Sequence, residues 1–113
     1  MKAIIIEDEL PSARRLSRLL LEFEVEIVAE LKTVKESITW FKNHKQPDLI
    51  FLDVQLSDGL SFEIFKNMNL KSRIIFTTAY SSYSLNAFDY NSISYLLKPI
   101  KKDVLGKAMK ITL

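Results

Sequence analysis

The chain has 113 residues, of which 48% are hydrophobic and 27% charged, a length and mixture that suit one globular domain with a core of its own. A net charge of +2 is too small to argue for nucleic acid, and the lack of cysteine excludes a disulfide scaffold and thiolate metal sites and fits the cytosol. No apolar run approaches the ~20 residues of a membrane span, so no membrane partner is expected.

Ala3 to Ile6 is a fully apolar strand, too short for a signal peptide and followed at once by Glu7-Asp8-Glu9. Pro11 fits the first turn of a helix, where its missing N–H is not needed. Ala13, Leu16, Leu20 and Phe23 then form one apolar helical face. Glu26 to Leu31 reads as a short strand, and Val34, Ile38 and Phe41 mark a second helix. His44 lies at the expected end of that helix without an evident partner, and Trp40 sits beside its apolar stripe.

After Pro47 comes Asp48-Leu-Ile-Phe-Leu-Asp53, a strand apolar on both faces that delivers Asp53 to its C-terminal end. Gly59 supplies a permissive turn, and Leu60 to Met68 reads as a third helix with Leu60, Ile64 and Met68 in register. Arg73 to Phe76 begins a fourth strand that runs into Thr77-Thr78-Ala79. Ser82 to Tyr90 is a weaker, aromatic-rich helix, and Ile93 to Leu97 a fifth strand ending in Lys98-Pro99. A last helix carries Val104, Ala108 and Ile111 and shows no cap signal at Leu113, which suggests a further segment beyond it.

Five strand–helix alternations require a parallel sheet covered on both faces, with the doubly wound order 2-1-3-4-5 favoured by right-handed crossovers. Strands one and three are then neighbours, so Glu7 and Asp8 lie beside Asp53, with Thr77 or Thr78 and Lys98 along the same edge. Three carboxylates in one cleft repel, so either one stays protonated or a cation joins them. Oxygen donors without His or Cys select Mg²⁺ or Mn²⁺. Asp53 can attack phosphorus to give an aspartyl phosphate, with the metal and Lys98 offsetting charge on the transferring oxygens. A carboxylate ordinarily needs no base for this at neutral pH.

Glu7-Asp8, Asp53 with Gly59 six residues on, Thr78-Ala79, Tyr95 and Lys98-Pro99 together resemble a response-regulator receiver domain over essentially the whole chain. The run from Phe76 to Tyr80, through Ala87-Phe88, to Tyr95-Leu-Leu-Lys-Pro-Ile100 is most similar to receivers of the LytTR (LytR/AlgR) family. The resemblance implies a flavodoxin-like, CheY-like (βα)5 fold over residues 1–113, with the final helix truncated and the output domain absent. It implies that Asp53 accepts phosphate from a sensor histidine kinase. Asp8 and Asp53 would bind Mg²⁺ directly, Glu7 through water, and Gln55 by its backbone carbonyl. Thr78, rather than Thr77, would contact the phosphoryl group, and Lys98 would pair with its oxygens. The Lys98–Pro99 bond would be cis, and Tyr95 would be the aromatic whose rotamer follows Thr78. Gln55 and Tyr80 would flank the path of the attacking water.

The implied role is a cytoplasmic signalling switch rather than an enzyme, catalysing only its own phosphorylation and dephosphorylation. Phosphorylation would alter the face made by the fourth helix, fifth strand and fifth helix, promote a homodimer there, and regulate a LytTR DNA-binding domain controlling transcription. Two departures stand out: Ser57 replaces a usual proline, and Glu7 a commoner aspartate.

Three other readings fit less well. A haloacid-dehalogenase-type phosphatase needs a second aspartate where Gln55 stands. A flavin or nucleotide module needs a glycine-rich phosphate loop that two glycines cannot build. Direct DNA binding through Lys98, Lys101, Lys102, Lys107 and Lys110 competes with a plain solvated helix face.

Overall fold

The computed structural model describes residues 1–66, 68–79 and 92–112. Five strands, β1 (Lys2–Ile6), β2 (Glu26–Leu31), β3 (Leu49–Asp53), β4 (Arg73–Thr78) and β5 (Ser92–Leu97), form one sheet in the order β2-β1-β3-β4-β5. Every pairing in it is parallel. This is the doubly wound, flavodoxin-like arrangement that the strand–helix alternation predicts. The expected fourth helix, Ser82 to Tyr90, lies outside the described residues.

Period-2 alternation divides the core between the two faces of the sheet. Ile4, Ile6, Ile50, Leu52, Ile74 and Phe76 face one way, against Val34 and Phe41 of helix α2 (Val34–Asn43). Ala3, Ile5, Leu49, Phe51 and Ile75 face the other, against helices α1 (Leu10–Leu20) and α3 (Lys102–Thr112). β1 and β3 are thus apolar at almost every position because each residue meets one of two helical layers. Each fully buried Ile, Leu or Phe contributes about 1.5–3 kcal/mol.

α1 carries Pro11 in its first turn and buries Ala13, Leu16 and Leu20, as its spacing predicts, while Phe23 packs from the turn beyond its end. α2 opens on a capping interaction that the sequence reading passes over. Thr33 Oγ1 accepts from the Glu36 amide at 3.0 Å, and Ser37 Oγ donates to the Thr33 carbonyl at 2.8 Å, which lets Ser37 be buried.

Three expectations are corrected. The helix expected from Leu60 to Met68 is a 3-10 helix over Ser61–Phe65. Gly59–Leu60 instead forms a two-residue ribbon, outside the strand numbering, with Gln55–Leu56. Among the described side chains of α3 the buried residues are Leu105, the expected Ala108 and Met109, whereas Val104 is 41% exposed, so the apolar face takes in Leu105 in place of Val104; the side chain of Ile111 lies outside those described. His44 does have a partner: its Nδ1 lies 2.9 Å from the Trp40 carbonyl, and its ring stacks on Trp40 with centroids 4.4 Å apart. Among the described residues no helix is long and apolar enough to cross a membrane.

Candidate functional site

The register of the sheet brings the C-terminal strand ends to one edge. Ile6 pairs with Leu52, Asp53 with Thr77, and Thr78 with Leu97. The residues that follow or end these strands, Glu7, Asp8, Asp53, Thr78 and Lys98, therefore meet where β1 and β3 lie side by side and their connections diverge. Asp8, Asp53, Gln55, Thr78 and Lys98 line a cleft of about 350 Å³ there. A cavity of about 330 Å³ lies behind the Glu7–Lys98 pair, against α1, with a largely apolar wall that includes Ile5, Leu16 and Phe51. Asp53 lines the cleft and not that cavity.

Oxygens of Glu7, Asp8 and Asp53 all lie within 4.8 Å of one another, a grouping that can hold a metal ion. Asp53 and Glu7 are buried, whereas Asp8 is partly open to the cleft. Lys98 joins them: its Nζ is 3.0 Å from Asp53 Oδ2 and also forms an ion pair with Glu7. The Lys98 backbone is held too, since its amide donates to the Thr78 carbonyl at 2.8 Å and its peptide bond to Pro99 is cis. Arg15 reaches from α1 to fasten the next residue, donating from Nε and Nη2 to the Ile100 carbonyl at 3.1 and 2.8 Å. Thr78 is fully buried at the end of β4, and Tyr95 is half-buried against the α2-side core.

The charges do not balance. Three carboxylates face one ammonium, and burial makes the excess costly. Burial first, and then the neighbouring Asp53, hold the Glu7 carboxyl above its ordinary 4.5, with Lys98 offsetting only part. Burial and the adjacent Glu7 likewise raise Asp8 above 3.8. Burial alone would lower the Lys98 ammonium, but Glu7 and Asp53 together outweigh it and raise its pKa above 10.5. The donor set is all oxygen and carries surplus negative charge, which fits a hard divalent cation.

These directions give a pH dependence. A carboxyl raised on folding holds extra protons in the native state, so its contribution is complete below the unfolded value and is lost as pH climbs through the folded one. For Glu7 that loss begins near 4.5 and continues above it, whereas Lys98 loses its contribution only above 10.5. In metal-free buffer, Glu7→Gln should therefore gain stability relative to the parent as pH rises from 4.5 toward neutrality. Urea unfolding across that range checks this, and a variant that loses stability relative to the parent as pH rises would contradict the assignment.

Residues 3–110 match the family model of the response regulator receiver domain. The chain belongs to that family. The receiver is 36% identical over 114 residues to the sensory transduction protein LytT of Bacillus anthracis, covering 97% of this chain and 46% of that protein. It is 37% identical over 114 residues to the transcriptional regulatory protein BtsR of Salmonella typhi, covering 96% and 46%. The receiver thus spans about half the length of these curated relatives. Among solved structures, the response regulatory domain of protein mrkE from Klebsiella pneumoniae superposes with a TM-score of 0.84. Identity is 31%, over 99% of this chain and 95% of that one.

Of the residues singled out in the sequence, Glu7, Asp8, Asp53, Gln55, Thr78 and Lys98 come together at the cleft or in its ion pairs. Tyr80 lies outside the described residues. Two contacts around the site were not anticipated. Arg15 reaches Ile100 across 85 residues of sequence, which no local pattern announces. Asp58, at the tip of the ribbon after Asp53, accepts from the Val34 and Lys35 amides at the start of α2, and had a local signal in the turn dipeptide Asp58-Gly59.

Proposed function

We propose that this receiver takes a phosphoryl group on Asp53 from a sensor histidine kinase and uses it to switch an output. The observation that carries the reading is Asp53 at the end of the central strand β3, with Lys98 Nζ 3.0 Å from its Oδ2 and Glu7 and Asp8 beside it. A carboxylate oxygen of Asp53 forms the new bond to phosphorus. The bond from phosphorus to the donor imidazole nitrogen breaks, and the nitrogen keeps the electron pair. Lys98 offsets charge on the phosphoryl oxygens, and the Thr78 hydroxyl donates to one of them. Asp8, Asp53 and the Gln55 backbone carbonyl are the direct ligands we assign to Mg²⁺, with Mn²⁺ as a substitute and Glu7 acting through water. The bound cation supplies charge neutralisation to the phosphoryl oxygens. Turnover here is limited to the domain's own phosphorylation and dephosphorylation.

Phosphorylation adds about −1.5 to −2 charge to the cleft. In this reading Thr78 closes on it and Tyr95 turns inward, biasing a two-state equilibrium across β5 and α3. Leu97 on β5 and Val104 on α3, 51% and 41% exposed, support a homodimer through this face. LytT is named a sensory transduction protein and BtsR a transcriptional regulatory protein, which supports an output that controls transcription; we assign that output to a LytTR DNA-binding domain and the regulator to the cytoplasm.

The test is intact mass after incubation with acetyl phosphate and Mg²⁺. The receiver should gain one phosphoryl group, mapped by peptide fragmentation to Asp53, and lose the gain when EDTA is present. A correctly folded receiver phosphorylated elsewhere, or equally well in EDTA, would refute the assignment.

A further inference from the structure

The loop after Asp53 carries Gln55 and needs a fixed shape if that residue's carbonyl is to serve the cleft. Its tip is Ser57-Asp58, and Ser57 lacks the ring restraint that a proline would impose on the backbone. The base of the loop is well held. The Ser61 amide donates to the Val54 carbonyl at 2.8 Å, Gln55 pairs with Leu60, and Leu56 with Gly59. Gly59 has φ of +143°, a conformation that other residues rarely adopt.

The tip is held from outside. The Asp58 carboxylate leaves the ribbon and spans the first turn of α2: Oδ1 accepts from the Val34 amide at 2.8 Å and Oδ2 from the Lys35 amide at 3.0 Å. These are two of the helix-start amides that have no partner within the helix. Thr33 takes a third, that of Glu36. The first turn of α2 is thus capped by two residues, one its own neighbour and one 23–24 positions away. A carboxylate is also the charge that a helix N-terminus favours. Slight burial opposes its ionisation, but the amides of Val34, Lys35 and Asp58 itself outweigh that and hold the Asp58 carboxyl below its ordinary 3.8.

We propose that Asp58 is a positioning residue for the cation site: it fastens the tip of the Gln55–Gly59 turn to α2 and so holds the Gln55 carbonyl at the cleft. The inference rests on the reading of Gln55 as a cation ligand. Linkage then requires reciprocity: a cation that orders the loop must also secure the Asp58 cap on α2.

The test compares Asp58→Ala, Asp58→Asn and Thr33→Ala in the whole chain. Both alanine variants remove a cap from the same helix, but only the first releases the loop. Mg²⁺ titration by calorimetry should show about tenfold weaker binding for Asp58→Ala, a smaller loss for Asp58→Asn, and parental affinity for Thr33→Ala. In the parent, Mg²⁺ should slow hydrogen exchange at the Val34 and Lys35 amides, and in Asp58→Ala it should not. Equal Mg²⁺ affinity in the two alanine variants, or no protection of these amides in a parent that binds Mg²⁺, overturns the proposal. A parent that binds no Mg²⁺ refutes the cation-site reading instead. The clamp is then judged by metal-free exchange over residues 54–60: faster in Asp58→Ala than in Thr33→Ala upholds it, and equal rates overturn it.

Discussion

Asp53→Asn is expected to take up no phosphoryl group from acetyl phosphate while remaining about as stable as the parent. The amide has nearly the carboxylate's shape, so β3, buried throughout, keeps its packing. The amide lacks the anionic oxygen that attacks phosphorus. In metal-free protein, neutralising Asp53 removes one attraction, to Lys98 at 3.0 Å, and two repulsions, from Glu7 and Asp8. These changes oppose each other, and stability should stay within about 1 kcal/mol of the parent. Mg²⁺ binding should weaken about tenfold, or about 1.4 kcal/mol, for loss of a charged ligand. Intact mass, urea unfolding and Mg²⁺ titration on the same samples check all three. Phosphoryl uptake by a folded Asp53→Asn would move the acceptor elsewhere, and unfolding of the variant would show that Asp53 serves stability first.

Such a separation of chemistry from stability is possible because the sheet and the site are specified by different parts of the sequence. Ala3 to Ile6 and Leu49 to Leu52 are apolar without a break, which only a strand covered on both faces explains. Alternation of strands and helices then gives the strand order, and the order puts Glu7, Asp8, Asp53, Thr78 and Lys98 on one edge. What the sequence could not give is the pairing among them. Lys98 lies 45 residues from Asp53 and still farther from Glu7, and nothing local says that it binds both.

The misread elements have physical causes as well. In α3, Val104 and Leu105 are adjacent, and each lies at helical spacing from Ala108, so periodicity cannot choose the buried face. Docking on the sheet chooses Leu105. Leu60, Ile64 and Met68 keep helical spacing, but Leu60 is already paired with Gln55 in the ribbon. The turn that begins at Ser61 has no side-chain cap and tightens into a 3-10 helix. The stack of His44 on Trp40 joins residues four apart on one helix and was legible in principle.

Lys98→Met should have the largest effect on stability of any single change at the cleft. Methionine keeps much of the lysine's unbranched stem and removes the charge and the N–H donors, so packing beside Pro99 and the apolar cavity is little altered. Glu7 and Asp53, 5% and 7% exposed at their side chains, then face each other and Asp8 with no cation between them. Removing one partner of a buried ion pair costs about 3–5 kcal/mol. The cleft is open on one side, so a loss of about 3 kcal/mol in metal-free buffer at neutral pH is expected. Two additions should recover part of it by separate routes. Mg²⁺ restores positive charge among the carboxylates, and acid neutralises Glu7, whose carboxyl burial already holds above its ordinary range. With Mg²⁺ present, phosphoryl uptake should still fall about 100-fold, because the cation does not replace the donor that Lys98 presents to the phosphoryl oxygens. Urea unfolding in EDTA and in Mg²⁺, at neutral and mildly acidic pH, separates these contributions. A variant as stable as the parent in EDTA would mean that solvent screens the carboxylates, and the account of Lys98 as their internal counter-ion would fail. A stable variant that also phosphorylates normally would remove Lys98 from the site.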